Sequence, residues 1–174
     1  MVRMKPLGRV VLLAGLAHGL ACSPAPVADR SVGKAKMITL YEGLPHPSYE
    51  KSYEAEKAGS RPIIERGEYS FYEEPLRLSL EEQASLEQVL GDKATYYKFA
   101  GEKKCGGFHP DYAVEWEDDG RMRTTMICFT CSEFKVRGPD GERRYDIARP
   151  AQEPLARLLK GRRKNRPEIT NRGG

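Results

Sequence analysis

The stretch that decides the fold is Tyr112-Ala113-Val114-Glu115-Trp116-Glu117-Asp118, then Asp119-Gly120, then Arg121-Met122-Arg123-Thr124-Thr125-Met126-Ile127-Cys128-Phe129. Its first part alternates, with Tyr112, Val114 and Trp116 on one face and Glu115 and Glu117 on the other, which is the period of a β-strand. Asp-Gly is a strong two-residue hairpin signal, because both residues tolerate the left-handed backbone that such a turn requires. The Thr-, Ile- and Met-rich segment after it reads as the returning strand. If Asp118 faces Arg121 across the turn, the ladder places Cys128 opposite Asp111.

Working outward, Glu133 to Arg137 makes a third strand, Pro139-Asp140-Gly141 a turn and Arg143 to Ile147 a fourth strand. Pro150 to Arg163 reads as a C-terminal helix whose Leu155, Leu158 and Leu159 face the core. Towards the N-terminus, Ser79 to Leu90 is the clearest helix. Ser79 can cap it and Glu82, three residues on, completes a capping box; Leu80, Ala84 and Leu86 to Leu90 supply its apolar stripe and Gly91 stands at its end. Lys36 to Tyr41, Glu68 to Tyr72, Leu76 to Leu78 and Ala94 to Phe99 are strand-like pieces, and Ser48 to Lys57 carries the charge pairs of a short helix. The fold class expected is α+β: a three- to four-stranded antiparallel sheet with two or three packed helices in a single domain over residues 36–165.

The first 21 residues have the layout of an export signal. Arg3, Lys5 and Arg9 form a basic front, Val10 to Leu20 is apolar except for His18, and Ala21 precedes Cys22. The apolar run is too short to span a bilayer core, which takes about 20 residues. Gly19-Leu20-Ala21-Cys22 resembles the lipobox of bacterial lipoproteins, with Gly19 where leucine is usual. Cys22 is therefore the candidate lipidation residue, and residues 22–35 read as a lipoprotein-type linker through which the protein is membrane-anchored in the cell envelope. Cleavage without lipid would give a soluble periplasmic or secreted protein instead.

Of the 29 Lys and Arg residues, three lie in that signal, so the remainder carries 26 bases against 25 acids. A nearly neutral body gives no general attraction to nucleic acid, and none is expected as a partner. Arg157, Lys160, Arg162, Arg163, Lys164, Arg166 and Arg172 concentrate base at the C-terminus, where residues 166–174 read as a basic disordered tail.

The chemistry-bearing residues are Cys105-x3-His109 and Cys128-x2-Cys131, which the hairpin register brings to one end of the ladder. Three arrangements fit them. One is a zinc site of Cys105, Cys128, Cys131 and His109, a Cys3His set that fills a tetrahedral shell, with His46 as substitute ligand. Another is a disulfide, either between Cys128 and Cys131 or from Cys105 to one of that pair, as suits an oxidising compartment. The last is a redox dithiol with Cys128 as the attacking sulfur. Covalent haem attachment would need a histidine at Ser132. No catalytic set is legible: Glu115 and Glu117 read as an exposed acidic strand face without a histidine or serine partner.

Tyr41-Glu42-Gly43-Leu44-Pro45-His46-Pro47, Lys104-Cys105-Gly106-Gly107-Phe108-His109-Pro110-Asp111-Tyr112-Ala113-Val114-Glu115-Trp116 and Ile127-Cys128-Phe129-Thr130-Cys131 together resemble a group of small bacterial exported proteins and lipoproteins with no established activity. The resemblance spans about residues 38–167 and implies export and a shared fold. The functional expectation is a non-enzymatic envelope lipoprotein with a structural cysteine cluster. The alternatives are a thiol-redox or metal-dependent protein using Cys128 and Cys131, and an interaction module presenting the His46 loop to a protein partner of unknown identity.

Overall fold

A computed structural model describes residues 30–35, 37–47 and 52–166. The signal segment, Cys22 and Arg172 lie outside them, as do residues 48–51 of the expected first helix. In chain order the elements are β1 (Ile38–Glu42), α1 (Tyr53–Lys57), β2 (Ile63–Arg66), β3 (Tyr69–Tyr72), α2 (Leu80–Gly91), β4 (Tyr96–Lys98), β5 (Tyr112–Asp118), β6 (Arg121–Cys128), β7 (Glu133–Gly138), β8 (Gly141–Ile147) and α3 (Arg149–Leu159). The architecture is α+β, with an antiparallel sheet ordered β1-β5-β6-β7-β8-β4 and a separate β2-β3 hairpin.

The strand count corrects the expected three or four. β5 to β8 form the meander that short turns dictate, and two more strands dock on its edges from far away in sequence. β1 lies along β5, with Ile38 opposite Trp116, and β4 lies along β8, with Tyr96 opposite Ile147. Each edge offers unpaired backbone donors and acceptors, and these distant strands satisfy them. Leu76 to Leu78 forms no strand and contributes only a bridge from Leu76 to Leu40.

The β5–β6 register is the one the turn predicts: Asp118 faces Arg121 and Tyr112 faces Ile127. Asp119 and Gly120 have φ of 50° and 74°, so both turn positions are left-handed, as a type I′ hairpin needs. Alternation then separates two faces. Tyr112, Val114, Trp116, Ile127 and Phe134 enter the main core with Leu86 and Leu90 of α2 and Leu155 and Leu159 of α3. Ala113 and Met126 face the opposite way and pack with Phe71 of β3, Tyr69 and Phe108.

α2 begins as its sequence specifies: Ser79 Oγ accepts from Glu82 N at 3.2 Å, and Ser79 N donates to Glu82 Oε2 at 2.8 Å. Leu80, expected in the apolar stripe, is 87 % exposed at the first helical position, and the buried contacts come from Leu86 and Leu90. Residues 30–35 of the expected linker belong to the described structure. Residues 30–34 form a 3-10 turn with Val32 fully buried in the main core, and Trp116 Nε1 donates to Ser31 Oγ at 2.8 Å. Among the described residues, no helix is long and apolar enough to cross a membrane.

Truncating Leu90 to alanine should cost roughly 2–5 kcal/mol, because it opens a cavity in the main core. Leu80→Ala should stay within about 0.5 kcal/mol, as an exposed position does. Urea unfolding of the two variants checks the contrast; equal losses would mean that the exposed face of α2 is misplaced.

Candidate functional site

The cysteines and histidines collect where the loop before β5 meets the turn between β6 and β7. Asp111 closes this corner. Its N–H donates to Ile127 O at 2.7 Å, its Oδ2 accepts from Phe129 N at 2.8 Å, and its own carbonyl accepts from Gly43 N at 2.8 Å. A Cβ on Gly43 would stand 2.1 Å from Pro110 O, so the close approach of these two loops requires glycine there.

Of the three arrangements open to the cysteines, the structure takes the disulfide from Cys105 to Cys131, with Cα atoms 5.6 Å apart. Cys128 remains a free, buried thiol, and Cys131 N approaches its Sγ at 3.3 Å. Burial pushes this thiol's pKa up, against the backbone N–H groups of His109 and Cys131, which favour the thiolate. The Cys3His zinc set is not assembled, because two of its four donors are bonded to each other. Among the described residues no group of three or more His, Cys, Asp and Glu is arranged to hold a metal ion.

The His109 ring is held by a backbone carbonyl. Its Nε2 lies 2.7 Å from Leu44 O, and since a carbonyl only accepts, Nε2 carries the proton. His46, the expected substitute ligand, packs against it with ring centroids 4.9 Å apart. Burial lowers the pKa of His109 to about 4, outweighing the favourable contact with Leu44 O, and the charge of Arg166 lowers it further. His46 is itself buried. A cleft of about 240 Å³ opens beside the two rings, lined also by Tyr53, Tyr69, Gly106 and Phe108.

Two groups of charges that sequence reasoning missed hold this corner. The first involves Arg166, expected to begin a disordered tail. It is buried, donating from Nη1 to Asp111 Oδ1 at 2.8 Å and from Nε to Gly43 O at 3.2 Å. Glu42 anchors the same segment, its carboxylate accepting from the N–H groups of Lys164, Asn165 and Arg166 at 2.7–3.0 Å. Arg162 pairs with Glu82 and Lys164 with Glu74, so part of the basic C-terminus is used internally. The second group lies on the outer face of the sheet. Glu133, fully buried, holds Lys103 at 2.8 Å and Arg144 at 2.7 Å, while Arg144 covers the Phe99 ring at 4.3 Å. These contacts lay the 99–108 segment across β7 and β8.

Glu115 needs a similar correction. It is only 4 % exposed, and Arg66 of β2 grips its carboxylate at 2.5 and 3.0 Å while Thr124 Oγ1 donates at 3.1 Å. The acid alternation was legible, but the hairpin that covers it was not. No known protein family matches the chain, and no curated protein and no solved structure matches it.

Removing Asp111 while leaving Arg166 buried should be severe: Asp111→Ala should lose roughly 3–5 kcal/mol, as breaking a buried ion pair from one side does. Adding Arg166→Met should recover part of that loss, and a double-mutant cycle by denaturant unfolding measures the coupling.

Stability should also fall between pH 6.5 and pH 4 on account of His109. The unfolded chain takes up the proton at the ordinary value of 6.5, and the folded ring resists until about 4. The unfolded state therefore binds more protons in that window, so stability rises with pH there, by at most about 3 kcal/mol across it. His109→Gln should flatten this part of the profile; an unchanged slope would mean that the ring is open to solvent.

Proposed function

We propose that this chain is an exported cell-envelope lipoprotein, held to a membrane by lipid on Cys22, whose α+β domain acts as a disulfide-stapled, non-catalytic module. The observation that carries the reading is the Cys105–Cys131 bridge, joined in one chain with an N-terminal segment of signal-peptide layout. Disulfides persist in oxidising compartments and are rare in the cytosol. The bridge ties the irregular 99–108 segment to the β6–β7 turn, next to the end of the founding hairpin. With 26 residues separating the two cysteines, it stabilises by about 3–4 kcal/mol in the chain-entropy account. Two or more acyl chains on Cys22 supply the stable anchoring that one chain does not.

A second reading, thiol chemistry at Cys128 and Cys131, is favoured by the free Cys128 thiol, which accepts the backbone N–H of the disulfide-bonded Cys131 at 3.3 Å.

Intact-mass analysis of the protein isolated from its producing cells checks the first reading in one measurement. The expected result is a chain starting at Cys22, heavier by its acyl groups and lighter by two hydrogens, with one thiol alkylated after unfolding. Retention of Met1 would sink the export reading. Three free thiols and a bound zinc ion would sink the staple.

A further inference from the structure

The cleft beside His46 and His109 is walled by four separate stretches of chain, and each is tied to the body of the domain by its own bonds. Gly106 to His109 forms one wall. The Cys105–Cys131 bridge fixes its start, and Asp111 N, donating to Ile127 O at 2.7 Å, fixes its end. The wall at His46 and Pro47 is held by Leu44, whose N–H donates to Ser70 O at 3.2 Å and whose carbonyl accepts from His109 Nε2 at 2.7 Å. Tyr53 comes from α1, which the Tyr72 hydroxyl ties to β3 by donating to Glu56 Oε2 at 2.9 Å. Glu68 to Ser70 makes the last wall, where Lys135 Nζ donates to Glu68 Oε1 at 3.0 Å and to the Tyr69 oxygen at 2.6 Å. A concavity held from four sides is pre-organised, so a ligand enters without the cost of ordering its walls.

The lining selects against charge. Tyr69 and Phe108 meet edge to face with centroids 5.4 Å apart, and Tyr53 stands edge-on to His109 at 6.2 Å. Each of these phenyl rings already carries a lysine. Lys135 Nζ is 4.8 Å from the Tyr69 centroid and 5.1 Å from that of Phe108, and Lys57 Nζ is 5.8 Å from that of Tyr53. A cationic ligand would therefore meet like charge. An anionic one would meet Glu68, 69 % exposed, whose carboxyl is held below the usual range by hydrogen bonds from Tyr69 and Lys135. His109 brings no compensating positive charge, because burial keeps its ring neutral down to about pH 4.

What remains on offer is apolar ring surface and hydrogen-bond acceptors. With the proton on Nε2, His109 Nδ1 is an acceptor, and so are the oxygens of Glu68. The complement of such a lining is an uncharged molecule with C–H faces and hydroxyl donors around its edge. Its size is bounded too, since 240 Å³ is the liquid share of only about eight waters.

We propose that this cleft binds one uncharged pyranose ring, the chain-end sugar of a glycan. The C–H groups of the ring faces pack on Tyr53 and Phe108, and the hydroxyls donate to His109 Nδ1 and Glu68. This assigns a ligand class to the non-catalytic module and rests on the export reading only for where the glycan is met. The disulfide gains a role in it, because it fixes the wall that carries Phe108 and His109.

The test titrates the ¹⁵N-labelled full chain with the methyl glycosides of glucose, galactose, mannose and N-acetylglucosamine, following backbone amide shifts. At least one glycoside should give saturable shifts confined to the four walls; no saturable shift with any of them, or shifts elsewhere, overturns the proposal. Glu68→Gln alters an exposed side chain and should weaken the best glycoside at least fivefold with the rest of the amide spectrum unchanged. Tyr53→Ala should weaken it at least tenfold. Unchanged affinity in either variant overturns the site. Tetramethylammonium chloride and inorganic phosphate should leave the wall amides unshifted, and displacement of the glycoside by either overturns the uncharged class. A tetrasaccharide of the best sugar should bind within threefold of its glycoside; a larger gain means an extended groove and overturns the single ring. The mass of the chain from its producing cells decides the anchor and these titrations decide the cleft, so each reading fails separately.

Discussion

Everything at the cysteine corner depends on the two-residue turn at Asp119-Gly120. Left-handed backbone at both positions matches the twist of the flanking strands, so the turn admits one register, with Asp118 opposite Arg121. A slip of one residue would exchange the faces of every side chain in β6 relative to β5. Met126 and Cys128 would then enter the helix-packed core, and Ile127 would turn outward. The same register carries Asp111 to the backbone of Ile127 and Phe129, which draws the segment holding Cys105 and His109 against the β6–β7 turn.

The two faces of the sheet are closed by different physics. The helix side is apolar, with Trp116, Phe134, Leu90 and Leu155 in one continuous core. The other side mixes a small apolar cluster with buried carboxylates, Glu115 on Arg66 and Glu133 on Lys103 and Arg144. Such pairs stabilise little beyond an apolar filling of equal shape, because desolvation offsets their attraction. They do impose direction. A guanidinium on a carboxylate is satisfied in few orientations, so Arg66 fixes how the β2–β3 hairpin crosses the sheet, and Arg144 fixes the segment laid over β8.

What was legible in the sequence was local. The Asp119-Gly120 turn, the Ser79–Glu82 capping box and the alternation of Tyr112, Val114 and Trp116 each rest on neighbouring residues, and each has its expected form in the structure. The gathering of three cysteines and His109 followed from that register. What was not legible required partners far along the chain. β1 and β4 are short strand patterns whose edge positions follow only from the assembled sheet. Glu115 looked solvated because Arg66 stands 49 residues away. Arg166 looked like tail because nothing near it in sequence announces Asp111 or Glu42. The choice among sulfur pairings likewise turned on three-dimensional placement, which spacing alone left open.

The Cys105–Cys131 bridge has a topological character that its position at one corner conceals. The loop it closes contains the whole β5–β6 hairpin and little else. The partners that complete the sheet, β1 opposite β5 and β4 opposite β8, all lie outside that loop. Chain segments with local contacts assemble before those that must close long loops. The hairpin can therefore select its own sulfur pairing as an autonomous unit of contiguous sequence, ahead of the long-range pairing of β1 and β4. The bridged hairpin then offers its β5 edge to β1 and its β6 edge to β7.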